Sequence, residues 1–238
     1  IEIRFDNVSF SDPLSGRMVL KNINFTINKN ENIGIFGLTG SGKSSLMHLL
    51  TRHIEATTGQ IYINNHKIEA YDTKSLRSEI NFVSQEPLFL EKTLRENIQM
   101  SYKLNPENAL LQAGGDDILA KGLDVNVAAF GSNFSGGQRQ RIHLSRAFVK
   151  RTSLLILDDS LGGLDNQTAN LVFDNVMKSK QQQKIIISQK FKELSRMDCI
   201  ICLEEGQIVD IGTADHLLKN NKNFALMFEL QGGGDLEL

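Results

Sequence analysis

The nine residues GLTGSGKSS, Gly37 to Ser45, restrict the possible folds of this chain more than any other stretch. They follow the apolar run Ile33-Gly34-Ile35-Phe36 and precede Leu46, Leu49 and Leu50, which fall at i, i+3 and i+4. The run predicts a short buried strand, and the spaced leucines predict a helix that packs one face on a sheet. Between them, Gly37-x-x-x-x-Gly42-Lys43-Ser44 has the spacing of the phosphate-binding P-loop. The glycines let backbone N–H groups converge on an anion without a Cβ in the way. The helix beginning near Lys43 points the positive end of its dipole at the same place. Lys43 supplies a full charge for β- and γ-phosphates, and the Ser44 hydroxyl is a ligand for Mg²⁺. The expected phosphate-binding set is Gly37, Thr39, Gly40, Ser41, Gly42, Lys43, Ser44 and Ser45. A plain Gly/Ser turn into a helix is the competing reading, and it leaves the lysine unexplained.

The rest of the chain supports an α/β protein. Residues 1–10 and 19–27 alternate as half-buried antiparallel strands do, and further strands are predicted at Gly59–Ile63, Ile80–Val83, Leu154–Leu157, Lys184–Ser188, Asp198–Leu203 and Gln207–Ile211. Residues 93–125 read as polar and helical, with a start signal at Pro106 and a break at Gly114-Gly115. Helices are also expected over 138–149 and near 166–178. Strands alternating with helices argue for a parallel sheet, with the helical stretch around 93–149 inserted between two of its strands. Gln231-Gly232-Gly233-Gly234 reads as a flexible tail, placed at 232–238. The apolar run Leu154-Leu155-Ile156-Leu157 ends in Asp158, an acid that strand burial would place at the carboxyl edge, where it can bind Mg²⁺ mostly through water.

Composition excludes several function classes. The net charge of −2 gives no electrostatic footprint for nucleic acid. The apolar runs are far shorter than the roughly 20 residues that span a bilayer. Two cysteines cannot build a disulfide framework, which suggests a reducing, cytoplasmic setting. The opening IEIRFDNVSF alternates like a strand and does not resemble a signal peptide.

Phe134-Ser135-Gly136-Gly137-Gln138-Arg139-Gln140-Arg141 resembles the LSGGQ signature of ATP-binding cassette proteins, with Phe for the first Leu. Val83-Ser84-Gln85-Glu86-Pro87 resembles the Q-loop, Thr93–Ile98 the segment that follows it in exporters, and Gly163-Leu164-Asp165 the D-loop. The chain is thus similar, over nearly its whole length, to the nucleotide-binding domain of an ABC exporter. The resemblance implies a P-loop NTPase with a RecA-like core, an antiparallel β-subdomain and an inserted α-helical subdomain. On this reading residues 1–231 form one domain, with core and β-subdomain at 1–90 and 150–231 and the helical subdomain at 91–149. It implies ATP and Mg²⁺, the metal being held by Ser44, Gln85 and Asp158. It implies a head-to-tail pair in which Ser135, Gly136, Gly137 and Gln138 cap the γ-phosphate of nucleotide held by the other subunit. It also implies a transmembrane domain, in this chain or another, at the cytoplasmic face of the cell membrane.

Four departures from the family pattern follow. Where active members carry a Glu after the Asp of the apolar strand, this chain has Asp159. Intrinsic acidity differs little, about 3.9 against 4.3. One fewer methylene withdraws the carboxylate by roughly 1.5 Å, and a general base must lie within about 2.6–3.2 Å of its target. Gln189 stands where the family has its switch histidine; it can donate a hydrogen bond to a γ-phosphate but cannot shuttle a proton. Asp12 occupies the position of the tyrosine that stacks on adenine, which leaves Val19 for the base. Val127–Ser132 lacks the acids usual before the signature. The catalytic set is therefore Asp159, Gln189 and Lys43, in a site expected to bind Mg-ATP and cut it slowly. The pattern resembles one half of a heterodimeric exporter, whose second nucleotide-binding domain is non-identical. A regulatory module that holds ATP without cleaving it would share these residues. ABC ATPases acting on DNA or ribosomes carry a long coiled coil or two cassettes, and neither is seen.

Other features receive plain structural readings. Cys199-Ile-Ile-Cys202 has two thiols facing opposite sides of a strand, too few for zinc. His48 and His53 lack a metal-site pattern. His143 is expected at a helix surface or core edge, Lys219–Asn223 as a solvated turn, and Asp116-Asp117 at a helix start.

Overall fold

The structure, a computed structural model, describes residues 1–100, 105–179 and 182–232. In chain order it contains β1 (Ile3–Ser11), β2 (Met18–Ile27), β3 (Ile33–Phe36), α1 (Lys43–Leu50), β4 (Thr58–Ile63), β5 (His66–Lys67), α2 (Thr73–Ser78) and β6 (Ile80–Val83). Next come α3 (Leu94–Gln99), α4 (Pro106–Gln112), α5 (Asp116–Leu119), α6 (Gly136–Val149), β7 (Leu154–Asp158) and α7 (Asn166–Lys178). The chain continues through β8 (Gln183–Ile187), α8 (Phe191–Leu194), β9 (Cys199–Glu204), β10 (Gln207–Gly212), α9 (Ala214–Asn220) and α10 (Lys222–Leu230). It divides into two compact units, Ile1–Ile80 with Gln183–Leu238, and Asn81–Gln182.

The first unit carries two sheets. One is antiparallel, in the order β2-β1-β4-β5. Its alternating pattern buries Ile3, Phe5, Val8, Ile23 and Ile27 on one face, and Phe5 stacks on Phe25 at 4.6 Å between ring centroids. In the other sheet β3 pairs in parallel with β8 and with β9, and β10 closes on β9 antiparallel. All four residues of β3 are buried, as the continuous apolar run predicts for a strand covered on both faces. The β9–β10 turn passes through Gly206 at φ +79°, where a Cβ would collide with the Val19 carbonyl. The turn thereby reaches β2, and Lys21 N–H donates to the Gly206 carbonyl at 2.8 Å.

In the second unit, β7 lies beside β6. A helical core gathers Leu94, Ile98, Leu110, Ile118, Phe134, Ile142 and Val149. Polar residues set the helix starts. Thr93 with Glu96, and Ser135 with Gln138, form capping boxes for α3 and α6; Asn105 caps α4 ahead of Pro106, and Asp165 caps α7. The stretch 93–125 resolves into three short helices, α4 opening at the expected Pro106 and α5 following the expected Gly114-Gly115 break, with residues 101–104 outside the described residues. α6 starts two residues before the predicted 138, because Ser135 caps it and its glycines enter the first turn.

Two expectations are corrected. Lys219–Asn223 is solvated at Lys219, Asn220, Lys222 and Asn223 but is a junction of two helices rather than a turn: Asn221 is buried, and its side chain accepts from Phe224 N–H to open α10. Phe224 then packs edge-on against Phe36 at 5.3 Å and tilted against Phe191 at 5.8 Å. Such ring pairs contribute about 0.5–1.5 kcal/mol beyond their burial. His143 is at neither a surface nor a core edge; it is 4% exposed, inside the second unit. The tail expected at 232–238 falls, after Gly232, outside the described residues. Cys202 lies buried in β9, its thiol pushed up to about 12 chiefly by burial, and Cys199 is half-buried.

Candidate functional site

In the first unit, β3 delivers the chain to the loop Gly37–Gly42, and the loop delivers it to α1. A side chain at Gly37 would strike the Leu203 carbonyl and Ser41 Oγ, and one at Gly42 would strike Leu20. Gly42, at φ +104°, also holds a backbone conformation that other residues rarely adopt. Ser41 is buried, and its carbonyl accepts from Gly206 N–H at 3.1 Å, so the loop rests on the β9–β10 turn. Lys43 Nζ donates to the carbonyls of Gly37 at 2.7 Å and Leu38 at 2.8 Å, which folds the amine back over the loop. No side chain caps α1, whereas the other helices of eight or more residues among those described, α6, α7 and α10, each have one. No side chain thus competes for the helix start, and with the Lys43 amine it suits a polyphosphate.

A cleft of about 930 Å³ leads away from Leu38, Thr39, Gly40 and Ser41 toward Asp12, Arg17, Met18 and Val19. Among the described residues no aromatic ring lines it. The Asp12 carboxylate turns back on its own loop, accepting from Leu14 N–H, Ser15 N–H and Ser15 Oγ–H. The Ser15 N–H bond holds its pKa below the ordinary carboxylate value. Val19 and Met18 are left as the apolar surface at this end.

Gln189 also lies in the first unit. It leaves β8 two residues beyond the Ile35–Ile187 pair, at the end of the sheet where Gly37 leaves β3. Its turn is held at both ends by one side chain: Gln231 Nε2 donates to the Gln189 carbonyl at 2.6 Å, and Gln231 Oε1 accepts from Phe191 N–H at 2.9 Å.

The second unit holds the remaining predicted residues. Asp158 ends β7 and is 4% exposed. Asp159 follows at φ +44° and is half-buried, and its carbonyl accepts from Gly162 N–H. Ser135 and Gly136 are exposed at the start of α6, and a Cβ added at Gly136 or Gly137 would meet nothing within 4 Å. Gln138 is used internally: its backbone N–H bonds Ser135 Oγ, and its amide bridges Asp117 and Lys121. Gln85 is exposed just after β6.

α6 contributes residues that sequence reasoning missed. Gln140, His143 and Arg146, at i, i+3 and i+6, share one face and are all buried. Each donates to a backbone carbonyl of a different segment: Gln140 to Ser160, His143 to Ser84 at 2.9 Å, Arg146 to Asn97 at 2.9 Å. A carbonyl only accepts, so the His143 proton sits on Nε2 and its Nδ1 accepts from Arg146 at 3.1 Å. Burial first, and Arg146 second, push its pKa from 6.5 down to about 4. The sequence signal was faint, since Gln138, Arg139, Arg141 and Ser145 make the rest of the helix polar as well and leave no isolated stripe.

His143 is neutral when folded, and its folded value lies below its ordinary one. Its contribution to stability is therefore complete above about pH 6.5 and declines as pH falls toward about 4. At 1.36 kcal/mol per pKa unit the loss is roughly 3 kcal/mol. Chemical denaturation at pH 7 and pH 4 should show a smaller acid loss in His143→Gln, by an amount of that order; equal losses would show that His143 does not titrate between these limits.

Among the described residues no helix is long and apolar enough to cross a membrane. The profile of the ABC transporter family matches residues 20–162. The chain is 34% identical to the uncharacterized ABC transporter ATP-binding protein YfiB of Bacillus subtilis, over 97% of this chain and 41% of that protein. It is 33% identical to the leukotoxin export ATP-binding protein LtxB of Aggregatibacter actinomycetemcomitans, over 97% of this chain and 34% of that one. Among solved structures, a bacterial Atm1-family ABC exporter with ATP bound superposes with a TM-score of 0.91 at 26% identity, over 97% of this chain and 42% of that one. The chain thus spans less than half the length of these relatives. A P-loop fold with an uncapped helix over its glycines, a Ser-Gly-Gly start to α6, and a family profile that covers more than half of the residues agree: the chain belongs to the ABC transporter family.

Proposed function

We propose that this chain is the ATP-binding domain of an export ATPase at the cytoplasmic face of the cell membrane, working with a transmembrane domain and a second, non-identical nucleotide-binding domain. The observation that carries the reading is the cradle, in which colliding glycine positions, an uncapped α1 and the Lys43 amine converge on one loop. Gly37, Thr39, Gly40, Ser41, Gly42, Lys43, Ser44 and Ser45 hold the phosphates. The hydroxyl of Ser44, the amide oxygen of Gln85 and the carboxylate of Asp158 are hard oxygen donors, the set that Mg²⁺ takes. Mg²⁺, when bound, neutralises charge on the phosphates. Asp159 is the general base, and Gln189 donates to the γ-phosphate without relaying a proton. Ser135, Gly136 and Gly137, with Gln138 bracing the turn, serve nucleotide held by the partner.

This site binds Mg-ATP and turns it over slowly, while the signature completes a faster site on the partner. Phe130, exposed within Val127–Ser132, presents an apolar side chain to the transmembrane domain where exporters carry acids before the signature, and Leu88 and Leu90 are exposed after the Gln85 loop. Titration with a fluorescent ATP analogue tests the binding half. Lys43→Ala should weaken affinity roughly 10- to 100-fold, the worth of a hydrogen bond to a charged group at about 1.5–3 kcal/mol. A wild-type chain with no triphosphate affinity would overturn the reading, and nucleotide held uncleaved over long incubation would favour a purely regulatory clamp.

A further inference from the structure

The signature helix carries a buried residue of which one contact holds the Gln85 loop and the other leads through Arg146 to the segment after it, and nothing in the proposed catalysis uses it. His143 is the middle member of the Gln140–His143–Arg146 face of α6. Its Nε2–H holds the carbonyl of Ser84, the residue before Gln85, at 2.9 Å. On the other side of the same short loop, Ser84 Oγ–H donates to the Glu86 carbonyl at 3.0 Å. Gln85 therefore projects from a backbone turn that is fixed before and behind it, and the outside anchor of that turn is the imidazole.

The imidazole is itself anchored. Nδ1 accepts from Arg146, and Arg146 Nε–H donates to the Asn97 carbonyl in α3. Asn97 is fully buried; its side chain donates to the carbonyls of Leu90 and Thr93 and accepts from Leu90 N–H. The chain of bonds starts at the Gln85 loop, crosses α6, and returns to the segment that follows the loop. Arg146 also lies over the Phe89 ring, 5.6 Å from its centroid. Both ends of the stretch from Ser84 to Asn97 are thus pinned to one face of α6.

We propose that His143 is the positioning residue for Gln85: by fixing the Ser84 carbonyl to α6 it sets where the Gln85 amide oxygen is offered to Mg²⁺. The inference rests on the reading of Gln85 as a metal ligand. Residues that hold a metal ligand without touching the metal typically cost 10- to 100-fold in metal affinity or activity when lost. His143 serves this purpose because it presents a donor and an acceptor on opposite edges of one rigid ring. A glutamine offers the same pair of functions at similar reach, and a leucine offers neither.

The test measures the Mg²⁺ concentration that half-saturates the Mg²⁺-dependent tightening of fluorescent ATP-analogue binding, with affinity in EDTA as the reference. His143→Leu should raise the half-saturating Mg²⁺ about 10-fold and leave EDTA affinity unchanged, since Lys43 and α1 supply that. His143→Gln should restore the wild-type requirement. Gln85→Ala is the control. A raised Mg²⁺ requirement in Gln85→Ala with a wild-type requirement in His143→Leu overturns the inference and leaves the metal reading standing. A wild-type requirement in Gln85→Ala overturns the metal reading, and the inference with it. If the leucine variant does not fold, His143→Asn, too short to span both contacts, takes its place with the same expected rise.

Discussion

Replacing Asp159 by Glu and Gln189 by His together should raise ATP turnover about a hundredfold in steady-state phosphate release, measured at chain concentrations high enough for copies to pair. A correctly placed general base contributes about 10²–10⁴. The added methylene of Glu restores roughly 1.5 Å of reach, and the imidazole of His can accept and return a proton where an amide cannot. The substitution has a structural cost. Asp159 sits at φ +44°, a left-handed conformation that Asp tolerates better than Glu. A loss of about 1 kcal/mol in stability is expected, since that is the scale of the left-handed penalty. Nucleotide affinity should stay near wild type, because Lys43 and the α1 amides are untouched. The rise should therefore appear in kcat and not in KM. Wild-type turnover already as fast as that of the double variant would refute the slow-site reading.

Gly137→Asp tests the opposite half of the proposal, and it separates fold from function cleanly. A Cβ at Gly137 meets nothing within 4 Å, and the residue is not left-handed, so the new side chain has room. It enters the first turn of α6, where an acid is favoured by about 0.3–1 kcal/mol. The melting temperature should hold or rise slightly. Function should not survive, because the carboxylate stands where the helix start would receive a γ-phosphate. Loss of one such donor set costs about 10²–10³ in turnover, and a like charge adds to it. Turnover of this chain mixed with a partner domain carrying Glu and His at the two departed positions should fall by at least a hundredfold, while analogue binding to this chain alone stays unchanged. Unaltered turnover of the mixture would show that the Ser-Gly-Gly start does not face nucleotide.

The sequence was most legible where the determinants are local. The spacing of Gly37, Gly42 and Lys43 states a loop and a helix start within eight residues, and Ser135 and Asp165 each announce a helix through their own side chains. The parallel pairing of β3 followed from a run with no polar face to leave in water. α9 and α10 were missed although Thr213 and Asn221 are good caps and α10 is largely apolar after Asn223, because the Lys/Asn content between them suggested solvent. His143 was misplaced for a different reason. A polar residue on a helix is buried or exposed according to which loops land on it, and the segments that cover it lie about 60 residues earlier in the chain. Gln231 is similar, as its grip on the Gln189 turn depends on the path of α10.

Strand β3 has both of its partners, β8 and β9, about 150 residues or more downstream. At a synthesis rate of about 5–20 residues per second, the first of them leaves the ribosome roughly 8–30 seconds after β3 does. The 81–182 unit emerges whole in that interval. The cradle for phosphate therefore lacks its sheet until β8 and β9 have followed, and a nascent chain cannot capture nucleotide there before they do.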